Sequence, residues 1–433
     1  MKWSKRREVN TNVSCTKNTT LSLKAMGKRK KVGVIGGGAA GFFAAISAKQ
    51  HHPEAQVVLF EKTTKVLSKV KISGGGRCNV THHCHEVNDL IQAYPRGGRQ
   101  LKSMFYHFGP KDTEDWFTSR GVDLKVENDG RMFPVSDDSQ SIIDCLKDSC
   151  TQLGVKQVLN ASAQSLHPTG EQWKICFPDK EELFDALIIT TGGSPKEKGF
   201  DWLRELGHRI VTPVPSLFTF NMPKENITDL MGVVAQNATV SIVGSKIKTQ
   251  GPLLITHWGM SGPAILKASA FAARELADCQ YQFSIRIQWM EENANVIYTS
   301  LTETVQQFPN KQIGKHKPFD LPQRLWGYLL EKTNIPQKRH WNEVGEKNLR
   351  RLVERLSNDH YQVEGKTTFK EEFVTCGGVN LKDVNLKTME SKVAKGIYFA
   401  GEVLDIDAIT GGYNFQAAWS GGFLAGKLGG QVS

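Results

Sequence analysis

The sequence has no Cys-x-x-Cys pair, and its eight cysteines, at 15, 78, 84, 145, 150, 176, 279 and 376, show no disulfide framework. A chain of 433 residues needs no such staples, so a reducing, cytoplasmic setting is expected. No uncharged run reaches the ~20 residues of a membrane span. One uncharged run, residues 32–48, VGVIGGGAAGFFAAISA, follows KRKK as the core of an export signal would. Its four central glycines have a better explanation below, so neither export nor a membrane role is expected. Internal repeats are absent, and hydrophobic residues at 39% with charged residues at 23% exclude a disordered or collagen-like chain.

Acidic charge is also in short supply: Lys and Arg number 55 against 44 Asp and Glu, a formal +11. That surplus suggests nucleic acid or an anionic membrane, but it is uneven. Residues 1–31 hold ten basic side chains and one acid, Glu8, leaving only +2 for the other 402 positions. Residues 1–29 therefore read as a disordered basic tail, with Met26 a more conventional beginning.

The body opens with a short apolar strand at Lys31–Ile35, then Gly36-Gly37-Gly38-Ala39-Ala40-Gly41, a helical pattern to about Lys49, a break at His52-Pro53 and a second buried strand, Gln56–Phe60. Helices are expected near 98–108, 111–120 and 139–152, the last capped by Ser136 or Asp137 and ended by Gly154. Texture over 155–190 is β, closing on Leu187–Thr190 before Thr191-Gly192-Gly193. Residues 210–290 mix short strands with one helix near 261–275. Residues 293–356 read mainly as helix. Strand texture returns at 367–375 and 396–400, and a small-residue helix ends the chain over 413–428.

The spacing Gly36-x-Gly38-x-x-Gly41 carries chemistry. Gly36 permits a tight turn, Gly38 lets a pyrophosphate approach bare backbone, and Gly41 lets helix and strand pack closely, with the phosphates at the positive end of the helix. Glu61, twenty residues beyond Gly41, suits a carboxylate that accepts from both hydroxyls of an adenosine ribose and repels a 2′-phosphate. Ala40 and the neighbouring Lys62 are counted with this set. A second signature lies near the C-terminus, Gly396-Ile-Tyr-Phe-Ala-Gly401-Glu402. A strand ending in Gly and an acid suits the ribityl hydroxyls of a flavin. Gly411-Gly412-Tyr413-Asn414 then starts a helix whose N-terminus would stabilise negative charge on the flavin pyrimidine. Head and tail converging on one long ligand is what FAD requires.

Four segments, SGGGRCN at 73–79, DGRMFP at 129–134, THWGMSGPAIL at 256–266 and GEVLDIDAITGGYN at 401–414, resemble the bacterial family of NAD(P)/FAD-dependent oxidoreductases. That family includes aminoacetone-oxidase-like flavoproteins, a bile-acid-pathway reductase and a ribosomal RNA dihydrouridine synthase. The resemblance spans about residues 30–430. It implies an α/β fold: a split Rossmann-type FAD-binding domain of the glutathione-reductase kind, with an inserted β-barrel and helical subdomain. The expected boundaries are 30–195 and 371–433 for the two parts of the FAD domain and 196–370 for the insert. Carried over, Ser73, Gly74, Gly75, Arg77, Cys78 and Asn79 would lie along the pyrophosphate and flavin, and Thr191, Gly192 and Gly193 would make a second pass beside the dinucleotide. Two departures stand out. Val66-Leu67-Ser68-Lys69 replaces Leu-Gly-Arg-Lys, so only Lys69 matches, and the loop after Gly193 is shortened to 194–199.

Cys78 is the thiol expected nearest the flavin, either as a proton donor or as a structural loop cysteine. Cys376 is a weaker candidate. His257 is a candidate substrate contact or an ordinary structural histidine. Cys78, His82, His83, Cys84 and His85 are metal-like, but their spacing fits no tetrahedral site, so no metal is expected.

Residues 311–355 hold eleven Lys and Arg against five acids, with Trp326, Tyr328, His340 and Trp341 interleaved. Basic charge tracks a phosphate backbone and exposed aromatics stack on bases, so ribosomal RNA is a candidate partner through Lys338, Arg339, Lys347, Arg350 and Arg351. The alternative is a solvated helical face over core tryptophans. The expected activity is hydride transfer from reduced FAD to an electron-poor C=C, with uridine of large-subunit ribosomal RNA the leading substrate. NAD(P)H, lacking a second Gly-x-Gly-x-x-Gly, would dock transiently as reductant. The alternatives are a small-molecule reductase, an amine oxidase, or a flavin-containing RNA-binding factor without turnover.

Overall fold

The computed structural model describes residues 29–368 and 374–430. The basic tail, apart from Arg29, Cys15 and the middle of the 367–375 strand texture lie outside the described residues.

Strand β1 (Lys31–Ile35), helix α1 (Ala39–His51) and β2 (Gln56–Phe60) form the expected βαβ unit. Helix α2 (Gly98–His107) and α3 (Ser139–Gln152) follow, then β3 (Lys156–Val158) and β4 (Ala186–Ile189). The cap of α3 differs from expectation. Asp138, not Ser136 or Asp137, accepts from the Gln140 N–H at 2.8 Å, while Asp137 takes a left-handed φ of 53° and ion-pairs Lys125 and Arg77.

Strand β5 (Ile210–Ser216) leads into the insert. Its strands are β6 (Thr219–Asn221), β7 (Val234–Ile242), β8 (Lys248–Thr256), β9 (Gly259–Ser261), β10 (Gln282–Gln288), β11 (Asp359–Glu364) and β12 (Lys366–Thr367). The helix expected near 261–275 is two, α4 (Pro263–Phe271) and a short one at Ala273–Asp278. Helices α5 (Ala294–Gln307), α6 (Gln323–Lys332) and α7 (Glu346–Ser357) complete the insert. The chain then returns through β13 (Val374–Val379), β14 (Ile397–Phe399) and α8 (Tyr413–Gly426).

One sheet orders β14-β4-β1-β2-β3, all parallel, with a short antiparallel ribbon beyond β14. Its central strands are buried on both faces, which is why KVGVI and ALII are apolar without alternation. Helix α8, from the end of the chain, packs on α1, from its beginning. The approach is close: a Cβ on Gly426 would lie 2.7 Å from the Ala44 carbonyl oxygen, and one on Gly422 would lie 2.7 Å from that of Ala40. This is a Rossmann-type layer divided in the sequence. The insert's sheet orders β11-β10-β7-β8-β9-β6-β12. Since β11 runs directly into β12 through Gly365, whose carbonyl accepts from Asn221 N–H at 3.1 Å, the sheet curls back on itself. Two separate hydrophobic cores result, one with Trp419 under the parallel sheet, the other with Trp289, Trp326 and Trp341 in the insert.

Candidate functional site

A cavity of about 630 Å³ opens where the C-terminal ends of the parallel strands face the insert. Open α/β sheets present their ligand crevices at this edge. At its base the Gly36 N–H donates to the Phe60 carbonyl at 2.8 Å. Gly36 has φ 117°, and a Cβ there would lie 2.4 Å from the Thr190 carbonyl oxygen. Gly41 lies behind the turn rather than in the cavity wall; its Cβ would meet Gly36 O at 1.9 Å. Around Gly38 nothing lies within 4 Å of a Cβ position, so the backbone at the start of α1 is bare.

Glu61 borders one end of the cavity with Lys62, Thr63 and Lys65. Its Oε2 accepts from Gly37 N–H at 2.8 Å, and its Oε1 from the Thr63 N–H and hydroxyl, both at 2.9 Å. These bonds fix the carboxylate and leave further lone pairs. Thr191, Gly192 and Gly193 line the next stretch. Glu402 accepts from Thr375 N–H at 2.7 Å and pairs with Lys69 Nζ at 2.8 Å. A Cβ on Gly193 would sit 2.7 Å from the Glu402 carboxylate, so this crossing too needs bare backbone.

At the far end the segment 73–79 turns through left-handed φ at Gly74, Gly75, Gly76 and Cys78. Ser73, Gly74 and Asn79 face the cavity. Turned to satisfy both its ends, the Asn79 amide donates to Thr81 O and accepts from Gly412 N–H, each at 3.0 Å. This ties the loop to the start of α8. Gly401, Gly411, Gly412 and Asn414 border the same end, as does Ala40. The Asn414 side chain closes the α8 turn by accepting from Ala408 N–H at 3.0 Å and donating to Ala408 O at 3.1 Å.

Several expected site residues are elsewhere. Arg77 is turned away: it pairs with Glu127 at 2.6 Å and lies over the Phe133 ring at 4.0 Å. The arginine that does border the cavity is Arg131. Cys78 is fully buried, and burial pushes its thiol up to about 12. Gly75 is outside the wall. The Tyr413 ring stacks on His82 at 4.7 Å instead of facing the cavity. His257 is exposed beside Trp258 and does not reach the cavity. Cys376 is buried, its thiol pushed up to about 11 by burial. Among the described residues no three His, Cys, Asp or Glu side chains converge as a metal site.

The insert supplies a wall that the motifs named only in part: Leu217, Thr219, Ser261, Leu266 and Thr368, joined by Val374 from β13. Ser261 and Leu266 fall within the THWGMSGPAIL segment, whereas Thr219 and Thr368 have no motif and look like ordinary strand residues. Thr219 is held by the Trp258 indole, which donates to its hydroxyl at 3.0 Å.

The basic stretch of the insert has its tryptophans inward. Trp326 and Trp341 are fully buried, donating to Ile313 O at 2.8 Å and His316 O at 3.1 Å. Their hydrophobic bodies belong to the insert's core and cannot stack on bases, as the reading of a solvated face over core tryptophans has it. Lys338, Lys347, Arg350 and Arg351 are exposed and Arg339 is half-buried; Arg350 is paired to Glu346 at 2.6 Å.

The bare turn at Gly38, the carboxylate at one end, the crossing at Gly193 and the helix N-terminus at the other end make a groove that fits a long dinucleotide such as FAD. A 3-dehydro-bile acid delta(4,6)-reductase of Clostridium scindens is 26% identical to the chain, with 92% of this chain and 98% of the relative covered. A ribosomal RNA dihydrouridine synthase of Escherichia coli is 28% identical, with 89% and 94% covered. Among solved structures, the open conformation of a flavocytochrome c3 fumarate reductase superposes with a TM-score of 0.48 at 16% identity, covering 93% of this chain and 78% of that one. Residues 30–428 match the family model described as the HI0933-like protein Rossmann domain, and the chain belongs to this family of FAD-dependent oxidoreductases.

Proposed function

We propose that the protein transfers hydride to an electron-poor C=C of an uncharged, planar substrate held between FAD and the insert. The observation that carries this reading is the chemistry of the insert wall. Leu217, Thr219, Ser261, Leu266 and Thr368 bring hydroxyls and apolar surface but no titratable group, and the charged residues of the cavity, Glu61, Lys62, Lys65, Lys69, Arg131 and Glu402, all belong to the dinucleotide layer. A charged substrate would lose hydration against that wall without gaining a partner.

Reduced FAD, when bound, supplies the hydride. The chain's own residues hold the parts in place. The backbone at Gly36–Gly38 and the start of α1 would take the pyrophosphate. Glu61 would accept from the adenosine ribose, and Glu402, fixed by Lys69 and Thr375, from the ribityl chain. The N-terminus of α8 would face the pyrimidine and favour negative charge there. Cys78, sealed and held neutral by burial, is a packing residue of the loop in this reading. The hydroxyls of Ser261 and Thr368 are the groups placed to hold a proton at the substrate. NADH or NADPH would dock transiently against the flavin.

Uridine of ribosomal RNA is the second reading. It is favoured by the Escherichia coli relative's name and by the exposed Lys338, Lys347 and Arg351. Two measurements separate the readings. Anaerobic, photoreduced holoprotein should be reoxidised by a conjugated enone steroid, and ribosomal RNA from a deletion strain should keep its dihydrouridines. Loss of a dihydrouridine on deletion would establish the second reading. No reoxidation by the enone, with dihydrouridines intact, would overturn both.

A further inference from the structure

A second cleft, of about 870 Å³, lies on the other side of the wall that bounds the flavin cavity. Asp405 lines this cleft and the adjacent Ile406 lines the cavity, so the two share one segment of chain. Three cations converge on the cleft from three directions: Arg99 from the first turn of α2, Lys382 from the loop after β13, and Lys392 from beyond the edge ribbon. Among the described residues none of the three meets a carboxylate. Lys392 Nζ donates to the Lys382 carbonyl at 3.2 Å, which holds the two lysines on one side of the opening. A fourth cation, Arg96, is committed to the buried Asp407. The lining acid, Asp405, is half-buried, faces Arg274 at 3.6 Å and is held toward its neutral form by burial. The cleft therefore has close to three uncompensated positive charges, in a body whose net charge over 402 residues is only +2.

Helix α2 adds to this excess. It begins at Gly97 with no capping side chain and no acid in its first turn, and places Arg99 there instead. A cation beside the positive end of a helix is electrostatically unfavourable. Such local conflicts mark positions selected for something other than stability. The remaining lining includes Phe271, 40% exposed, with Leu381 and Leu386, a surface suited to a flat organic group.

We propose that this cleft is a second ligand site, for a small molecule bearing a phosphate, bound between the α2 N-terminus and Lys382 and Lys392 with its organic part against Phe271 and Leu381. The test uses FAD-saturated protein, so that the dinucleotide cavity is filled, titrated calorimetrically with AMP and with inorganic pyrophosphate. Saturable one-to-one binding is expected. It should weaken at least tenfold in the doubly substituted Arg99→Ala, Lys382→Glu protein, with FAD content and melting temperature unchanged. Preference for AMP would assign an organic phosphate. Equal binding of the two probes would assign recognition to the phosphate alone. Absence of saturable binding by either probe, or binding unaltered by the double substitution, would overturn the proposal.

Discussion

The dinucleotide layer and the insert reach compactness by opposite means. Where α1 meets α8, and where the chain turns at Gly36, side chains are removed so that backbone meets backbone: a methyl group on Gly41, Gly422 or Gly426 has no room. In the insert, compactness comes from large rings. Trp289, Trp326 and Trp341 fill it, and α7 buries Leu349, Leu352, Val353 and Leu356 while its charges face water. The first kind of packing leaves amide groups free to meet phosphate. The second leaves side chains to shape a pocket. The cavity lies where the two kinds meet.

The comparison is tested most severely at Gly41. Gly41→Ala places a methyl 1.9 Å from Gly36 O, and the expected cost is about 3 kcal/mol or more, seen as loss of folded, flavin-containing protein. Gly38→Ala, at φ −91° with open space around it, should stay folded and lose FAD affinity. If both variants retain FAD, the bare-backbone account fails. In the insert, Trp341→Ala should cost ~3–5 kcal/mol, read by denaturant unfolding. An effect under ~1 kcal/mol would place Trp341 outside the insert's essential core.

The seam between the two regions comes next. Arg96 donates to Ala270 O at 2.6 Å and pairs with Asp407, which also accepts from Ser216 at 2.7 Å. Arg96→Ala leaves Asp407 buried without its cation, and a loss of up to ~3–5 kcal/mol is expected where the carboxylate is charged, burial and the missing cation both favouring its neutral form. That loss should shrink as pH falls and Asp407 takes up a proton. A deficit independent of pH would exclude the ion pair as its source. The smallest effect concerns His208, whose imidazole is buried between Leu203 O and the Ser391 hydroxyl and held neutral by that burial. Its folded pKa lies below its unfolded one. Its contribution is therefore complete above about pH 6.5 and is lost as pH falls further. His208→Asn should flatten that part of the stability profile; an unchanged slope would assign it to other groups.

The dinucleotide half of the site is legible in the sequence because backbone chemistry leaves a pattern. Gly36, Gly38 and Gly41 are glycine at fixed spacing, and Glu61 and Glu402 follow strands that are mainly apolar. What the sequence conceals are directions. Arg77 and Arg131 both flank Phe133, and only the fold decides that Glu127 and Asp137 draw Arg77 away. Trp326 and Trp341 sit among lysines and arginines in sequence, yet helical periodicity turns the rings inward and the charges outward. Thr219 and Thr368 reach the cavity through the curl of a sheet whose closure depends on the β11–Gly365–β12 junction. No local pattern reports that closure.

The order of strands in the parallel sheet also fixes an order of events during synthesis. β1, β2 and β4 leave the ribosome early, but β14, which pairs with β4, and the helix α8 that covers α1 come roughly 200 residues or more after β4. The insert, whose sheet closes by residue 367, is complete while β4 still lacks β14 on its open edge. A nascent chain therefore holds α1 without its covering helix until α8 is made. A dinucleotide groove lined by both segments is complete only once α8 has been made.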